Sequence, residues 1–309
     1  MNSWFNLFGR CEGLYIRSNL KQLRHLWLVA IPLICTFFGA LSGCTTDNSI
    51  RYSHKLSANS PTQQEIRIVG DASTYLAMNI LADAYISQVK NAQVSFVPAN
   101  QSMAILAGVK NDLFDIGSVS EQLTLKDRTL EYREVAKDAI LVATHSSVEG
   151  ITNLTTDNLK AIYTGTLKNW KEMGGPDAEI IVLDLPEEES AKRLLRSYYL
   201  GEDLKNSKTA ILLREENDAI AAVQNVPYSI GAFSSGYATS KRLSANNLSL
   251  NGVAATPDNV QTGKYPMVRT IGIISKKSSY LKVKGFLAFV RSRQAAAVLC
   301  NSGFLPPSH

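Results

Sequence analysis

The stretch LTTDNLKAIYTGTLKNWKEMGGPD occupies residues 154–177 and opens with a helix signal. The pattern predicts a helix over Thr156–Tyr163, capped by Thr155 or by its own first residue, because threonine side chains accept hydrogen bonds from free helix N–H groups. Asp157 falls in the first turn, where the helix dipole favours an acidic side chain. The apolar run Ile180–Leu183 follows and predicts a strand.

Short apolar runs and helical patterns continue to alternate on both sides of this unit. Strands are predicted at residues 66–69, 94–97, 115–117, 139–144, 229–233 and 268–275. Helices are predicted at residues 75–90, 103–109, 187–199, 217–224 and 283–301. This alternation indicates an α/β fold with mainly parallel strands.

Composition and charge exclude several classes of protein. With 45% hydrophobic and 19% charged residues, the chain is neither largely disordered nor collagen-like. Its formal net charge of +5 includes three net positive charges in residues 1–43, so the remainder is nearly neutral. Together with the lack of a basic run interleaved with aromatics, this gives no basis for nucleic-acid binding.

The N-terminus has the pattern of an export signal. Basic residues precede an apolar run at 26–38. Small residues and then the sequence Leu-Ser-Gly-Cys, residues 41–44, come after this run. Pro32 and the shortness of the run argue against a membrane-spanning helix, which needs about 20 apolar residues. An uncleaved anchor is the alternative. Leu-Ser-Gly-Cys resembles the bacterial lipobox, which implies a lipoprotein signal peptide over 1–43 and lipidation of Cys44.

The polar stretch 44–64 then predicts a flexible tether. We therefore expect an exported lipoprotein that is anchored to a membrane and faces the periplasm or the cell exterior.

Four stretches resemble the PstS-like phosphate-binding proteins, the substrate-binding components of phosphate ABC importers. They are residues 66–75 (IRIVGDASTY), 114–120 (FDIGSVS), 154–177, and 283–306 with its Gly-Phe-Leu-Pro ending. The resemblance implies a two-lobed periplasmic-binding-protein-like fold of type II. Each lobe would be a mainly parallel sheet flanked by helices, and two crossover strands would join the lobes. Carried onto this chain, lobe 1 is 65–145 plus 266–309, and lobe 2 is 146–265.

A ligand site is expected where strands end. Ligands of α/β sheets sit outside the carboxyl ends of strands, and the helix N-termini that follow offer free N–H groups suited to anions. Here three strands run into turns rich in hydroxyl groups. The alternative is that these hydroxyls only cap helices. The predicted ligand-binding residues are Ser73, Thr74, Gln101, Ser102, Ser118 and Ser120 from lobe 1, with Glu189 and Ser190 from lobe 2.

The chain departs from the family at this site. Asp71 lies in the first loop, and Glu121 and Leu185 stand where relatives carry arginine. An arginine–phosphate contact is worth about 1.5–3 kcal/mol, and a carboxylate about 4 Å from an anion costs about 4 kcal/mol at an effective dielectric near 20. We therefore expect weak or absent phosphate binding, and a neutral or zwitterionic solute fits better. The acidic run Glu187–Glu189 has a second interpretation, as the favourable first turn of a helix.

Two functions are consistent with these features. The first is a lipid-anchored extracytoplasmic solute-binding protein with a diverged ligand site, serving the membrane subunits of an ABC importer. The alternative is a degenerate family member that acts as a cell-envelope interaction or sensory module without small-ligand transport. No nucleophilic triad, paired-carboxylate motif or metal-ligand spacing indicates an enzyme, and we expect no cofactor and no metal.

Overall fold

The computed structural model of the chain describes residues 65–99 and 101–307. The strands are β1 (Glu65–Gly70), β2 (Gln93–Pro98), β3 (Ile116–Val119), β4 (Leu130–His145), β5 (Asn153–Leu154), β6 (Ile181–Asp184), β7 (Ile211–Leu212), β8 (Ser229–Ser234), β9 (Ala245–Asn247), β10 (Ser249–Leu250) and β11 (Val268–Lys276). The α-helices are α1 (Tyr75–Ile86), α2 (Ser102–Lys110), α3 (Thr156–Thr164), α4 (Ser190–Leu195), α5 (Glu216–Asn225), α6 (Ser235–Ser240), α7 (Pro257–Gln261), α8 (Tyr280–Val290) and α9 (Arg293–Asn301). The predicted leader, Cys44 and the predicted tether lie outside the described residues.

One nine-stranded sheet organises the described residues. Its strand order is β2-β1-β3-β11-β4-β8-β6-β7, with β9 also beside β4. β1 pairs in parallel with β2 and β3, and β6 pairs in parallel with β7 and β8. β4 and β11 run antiparallel to each other between these two groups. The predicted α/β fold is confirmed, with a mixed sheet in which parallel strands flank an antiparallel pair.

The 16-residue strand β4 belongs to two parts of the sheet. Residues 130–139 of β4 pair with β11, whereas residues 140–144 pair with β8. We call β2, β1, β3, β11 and residues 130–139 the first half, and β8, β6, β7, β9 and residues 140–145 the second half. A β-bulge interrupts the first pairing, since Ile271 lies opposite Ala136 and Gly272 lies opposite Glu134, leaving Val135 as the extra residue.

Buried apolar side chains form clusters on both sides of this division. The first half packs α1, α8 and α9 against the sheet, with Leu81 and Phe286 fully buried. The second half packs Tyr163, Trp170 and Phe233 around Ile140. Each half thus has apolar packing of its own, and the lobe limits expected from the sequence stay a prediction.

The stretch 154–177 packs deeply into the second half. Thr155 caps α3 in a reciprocal capping box with Asn158, which resolves the choice of capping residue. The helix ends at Gly165, whose φ of 72° is in the left-handed region that favours glycine. Trp170 is fully buried, and its Nε1 donates a hydrogen bond to the Tyr228 carbonyl at 2.9 Å. The buried indole of Trp170 therefore holds the C-terminal part of this stretch, which consists mainly of turns, against the second half.

Three helix predictions were wrong at their limits, and the first of them, 75–90, ends already at Ile86. The predicted helix 283–301 is two helices, α8 and α9, because the chain breaks at residues 291–292 and Ser292 caps the second by accepting from the Ala295 N–H. The predicted helix 187–199 begins only at Ser190. Among the described residues, no helix combines the length and apolarity that crossing a bilayer would need.

Candidate functional site

The carboxyl ends of β1 and β3 lie side by side, and Asp71 connects the turns that follow them. Its Oδ1 accepts a hydrogen bond from the Thr74 N–H at 3.1 Å, and its Oδ2 accepts one from the Ser120 N–H at 2.8 Å. The hydroxyls of Thr74 and Ser118 lie 2.7 Å apart behind this carboxylate. Two of the three turns predicted to bind ligand are thus joined by one side chain.

Local sequence explains how Asp71 reaches both donors. Its extended backbone, with φ −73° and ψ 156°, caps the 3₁₀ turn Ala72–Thr74 that leads directly into α1. The preceding Gly70 allows the strands to approach closely, because a Cβ there would lie 2.0 Å from the Ser118 Oγ. A larger residue at position 70 would therefore push the two turns apart.

A hydrogen bond from the same turns crosses to the second half. The Ser73 and Ser190 hydroxyl oxygens lie 3.0 Å apart, and Ser190 Oγ also accepts from Arg269 Nη1 at 2.6 Å. Tyr237 on α6 lies nearby, with its hydroxyl 3.5 Å from the Ala72 carbonyl oxygen. Burial raises the pKa of Tyr237 to about 12, so its hydroxyl remains a donor at neutral pH. Ser190 is therefore the point where both halves meet.

Arg269 is buried behind this meeting point and is fully paired. On β11 it lies directly opposite Asp138 of β4, and its Nε donates to Asp138 Oδ2 at 2.9 Å. Its Nη1 donates to Glu216 Oε1 at 2.6 Å. Burial alone would lower the pKa of Arg269, but the carboxylates of Glu216 and Asp138 raise it above its ordinary value. The guanidinium is thus permanently charged and already neutralised.

Hydroxyl and backbone donors complete this network. Asp138 is fully buried and accepts from the Ser234 and Ser235 hydroxyls at 2.7 and 3.1 Å and from the Gly236 N–H at 3.2 Å. Glu216 Oε2 accepts from the Ser234 N–H at 2.9 Å. These donors at the start of α6 hold both carboxylates in place, which leaves the Arg269 ion pairs rigid.

Two further carboxyl groups face this region. Burial raises the pKa of Asp71, although its two backbone hydrogen bonds and Arg269 oppose the shift. Burial likewise raises the pKa of Glu189, and the nearby Glu216 carboxylate adds to the effect. Four carboxyl groups therefore surround one guanidinium. Such a setting disfavours an added anion and favours groups that donate hydrogen bonds.

The structure brings most of the predicted site residues together. Ser73, Thr74, Ser118, Ser120 and Ser190 lie within the hydrogen-bonded cluster around Asp71, and Glu189 precedes Ser190 at the start of α4. That any of them binds a ligand stays a prediction.

The third turn is less closely tied to this cluster. Gln101 precedes α2 without a side-chain hydrogen bond to the helix. Ser102 donates to Glu121 Oε1 at 2.5 Å, on the exposed side of the turn. The acceptor carboxylate belongs to Glu121, so this turn is also acidic.

Leu185 does not face the cluster. Its side chain is 4% exposed and packs in the apolar core of the second half. An arginine placed there would bury a charge among apolar side chains.

The acidic run Glu187–Glu189 is not the first turn of a helix. α4 begins after it, has no acidic residue in its first turn, and receives no side-chain cap from Glu189. Glu187 instead accepts two hydrogen bonds from Arg196, at 2.6 and 3.0 Å. The capping interpretation was wrong, because an ion pair with the end of the helical segment decides the position of Glu187.

Sequence reasoning did not single out Arg269, Asp138 or Glu216. A signal for Arg269 was present, since an arginine interrupts the otherwise apolar strand at 268–274. A charged residue buried in a strand requires partners, but these partners lie 131 and 53 residues away along the chain. The spacing along the sequence could not identify them.

A cavity of about 500 Å³ lies elsewhere in the second half. It is lined by the loop at residues 146–152, by β9 and by Ala254 and Ala255, with Ser235 at one side. None of the predicted ligand-binding residues lines it. The cluster between the two halves is therefore the better candidate, since it alone gathers the strand-end turns.

Comparison with known proteins agrees with this architecture. A family model described as a PBP superfamily domain matches residues 56–294. The phosphate-binding protein PstS of Borreliella burgdorferi is 27% identical over 266 residues, which covers 82% of this chain and 95% of the relative. The PstS protein of Bacillus subtilis is 24% identical over 286 residues, covering 90% and 93%.

Solved structures show the same fold. A putative phosphate ABC transporter substrate-binding protein with bound phosphate from Clostridium perfringens superposes with a TM-score of 0.65 at 23% identity. The match covers 79% of this chain and the whole of that one. The expected two-lobed periplasmic-binding-protein-like fold is thereby confirmed.

Proposed function

The chain belongs to the PstS-like family of substrate-binding proteins in the periplasmic-binding-protein superfamily, and on that premise we propose that it binds a small solute outside the cytoplasm and delivers it to the membrane subunits of an ABC importer. The family is one of binding proteins, and no catalytic step is needed for this role. Closure of two halves around a ligand is a recurrent form of domain motion and suits such delivery.

We further propose that the protein is held at the membrane by lipid on Cys44. The support is the basic and apolar leader that ends in Leu-Ser-Gly-Cys. The polar stretch 44–64 would then connect the lipid to the rest of the chain.

The ligand site is proposed to have diverged from phosphate. One observation carries this proposal: Arg269, the guanidinium at the meeting point of the halves, is already paired with Asp138 and Glu216. An incoming phosphate would gain no free cation there and would lie close to further carboxyl groups. A neutral or zwitterionic solute, which brings hydrogen-bond donors, fits this environment better.

A thermal-shift screen of the full chain in mild detergent tests solute binding. The probes would be inorganic phosphate, sulfate, amino acids, sugars and polyols. A ligand at 100 times its Kd stabilises the folded state by about 2.7 kcal/mol, which is a measurable increase in Tm. We expect at least one neutral or zwitterionic probe to raise the Tm and phosphate to leave it unchanged. If calorimetry gave a micromolar or tighter Kd for phosphate, the diverged site would be wrong.

The alternative, an envelope interaction or sensory module without transport, has one observation in its favour. Ser73 and Ser190 hydrogen-bond to each other directly, so the chain's own side chains hold the two halves together. A binding protein that is closed by its own contacts has less need of a solute. A screen in which no probe raises the Tm would favour this alternative over delivery.

A further inference from the structure

Asp71 occupies a position that a bound anion could take. The Thr74 N–H belongs to the N-terminus of the helical segment that continues into α1, and the Ser120 N–H follows the end of β3. Both point at the same carboxylate, one at each oxygen. Helix N-termini and strand-end N–H groups are the usual donors for bound anions in α/β proteins.

The second of these hydrogen bonds is not explained by helix capping. An N-cap aspartate needs one oxygen for the N–H of its own helix, which the Thr74 contact supplies. The contact to Ser120 joins residues 49 apart in sequence and belongs to another turn. The Ser118 and Thr74 hydroxyls lie beside it. The carboxylate is therefore held by donors from two strand ends, as a bound anion would be.

We propose that Asp71 acts as an internal anion. Its carboxylate occupies the backbone N–H groups of the cleft that would otherwise bind an anion, and free phosphate is therefore rejected. This inference rests on the proposed solute-binding function and names the residue that sets its specificity. Asp71 rejects phosphate in two ways. Its oxygens occupy the Thr74 and Ser120 N–H groups, and its charge repels a second anion in the same space.

The carboxylate also costs free energy where it lies. Burial raises its pKa, and Arg269, whose charge opposes that shift, is shared with Asp138 and Glu216. A carboxylate that is kept at the candidate ligand site despite this cost suits a role in ligand specificity better than a role in stabilising the fold. Ligands that donate hydrogen bonds to Asp71 remain compatible, because each carboxylate oxygen keeps a free lone pair.

Calorimetric titration of the full chain with inorganic phosphate tests this role, using Asp71→Ser and Asp71→Asn. Asp71→Ser removes the charge and leaves one hydroxyl oxygen on a shorter side chain, which cannot hold the Thr74 and Ser120 N–H groups as the two carboxylate oxygens do. We expect phosphate affinity to rise at least a hundredfold, because one carboxylate near an anion can lower the affinity by roughly a thousandfold. Asp71→Asn keeps the shape, removes the charge and replaces one of the two acceptor oxygens with an NH₂ donor, so one N–H group loses its partner. Because the amide still fills the space, its phosphate affinity should lie between serine and wild type. It also provides the test if the serine variant does not fold.

Asp127→Ser is the matched control. Like Asp71, Asp127 accepts a hydrogen bond from a nearby backbone N–H, that of Thr129. Its ion pair is with Lys110, at the end of α2 that lies away from the cleft. We expect this control to leave phosphate binding at the wild-type level. A gain equal to that of Asp71→Ser would show a general charge effect and would overturn the proposal.

The inference is also overturned if the folded Asp71 variants bind phosphate no more tightly than wild type, or if wild type already binds it as tightly as they do. Neither result decides the proposed function. Solute binding fails only if the wild-type chain responds to no probe in the thermal-shift screen, whereas Asp71 is tested by phosphate affinity in the variants alone.

Discussion

The hydroxyl oxygens of Ser73 and Ser190 lie 3.0 Å apart, and this hydrogen bond joins the two halves of the sheet at the candidate site. Ser73 lies in the turn that leads into α1, whereas Ser190 is the first residue of α4. Because Arg269 also donates to Ser190, the contact is coupled to the buried ion pairs behind it. The contact between the two halves and the ion pairs of Arg269 therefore lie in the same small region.

Replacing Arg269 with Met should destabilise the protein strongly. The change leaves Asp138 and Glu216 buried without their cation, and breaking a buried pair in this way costs about 3–5 kcal/mol. Urea unfolding followed by circular dichroism measures the loss. Arg214→Met is the control, since solvent screens the exposed Arg214–Asp218 pair at i,i+4 and its loss should have little effect. Equal effects of the two variants would contradict the structural role of Arg269.

The Glu187–Arg196 ion pair should make stability depend on pH in the acidic range. The Arg196 hydrogen bonds lower the pKa of Glu187 below its ordinary 4.5. A lowered folded-state pKa means that the stabilisation is present above about pH 4.5 and is lost as the pH falls through the folded value.

Glu187→Gln should therefore destabilise the protein at pH 7 by about 0.2–1 kcal/mol, because the carboxylate is partly exposed, and the difference should become smaller at a pH below 4.5. The adjacent, exposed Glu188→Gln is the control and should have no effect at either pH. Urea midpoints at the two pH values measure both. A difference for Glu187→Gln that persists undiminished at the acidic pH would argue against the ion pair as its cause.

Trp170→Ala should cost about 3–5 kcal/mol, as large-to-small changes of fully buried aromatic residues do. The variant creates a cavity in the second half and leaves the Tyr228 carbonyl without its indole donor. Tyr198→Ala, at a half-exposed position, serves as the control and should cost much less. Thermal unfolding by calorimetry compares the two, and a small effect at Trp170 would contradict its central packing.

Cys44→Ala should release the protein from the membrane fraction and change its mobility on gels, if the lipid anchor is as proposed. Cys35→Ala is the control, since Cys35 lies within the predicted leader and would be removed with it. Fractionation of cells expressing each variant measures the outcome. An unchanged distribution for Cys44→Ala, with the leader still cleaved, would refute lipidation at this residue.

The features predicted well from the sequence are those set by neighbouring residues. Thr155 caps α3, and β1, β2 and β3 end in hydroxyl-rich turns because local patterns define both. Residues 130–138 of β4 were not predicted as strand. They alternate charged residues such as Glu131 and Arg133 with apolar ones, and only pairing with β11 makes the segment extended.

The chemistry of the site was harder to predict, because it depends on contacts between distant residues. Asp71 was visible as a departure from the family, but its hydrogen bond to Ser120 required knowing that β1 and β3 are neighbours. The burial of Leu185 in the core likewise depends on side chains that are distant in sequence, whereas its interpretation as a lost arginine site stays a prediction. The balance of charge around Arg269 emerges only when three separate segments come together.

The bulge at Val135 divides β4 into two stretches. In each stretch the side chains alternate between the two faces of the sheet in their own register with β11. On one side Arg269 and Asp138 remain directly opposite each other; on the other, residues 130–134 keep their own register with β11. Because the side-chain period of a strand is two, loss or gain of a single residue would ordinarily exchange its two faces. Here such a change before residue 135 can be absorbed at the bulge. We therefore expect a one-residue insertion or deletion before residue 135 to leave Arg269 and Asp138 opposite each other.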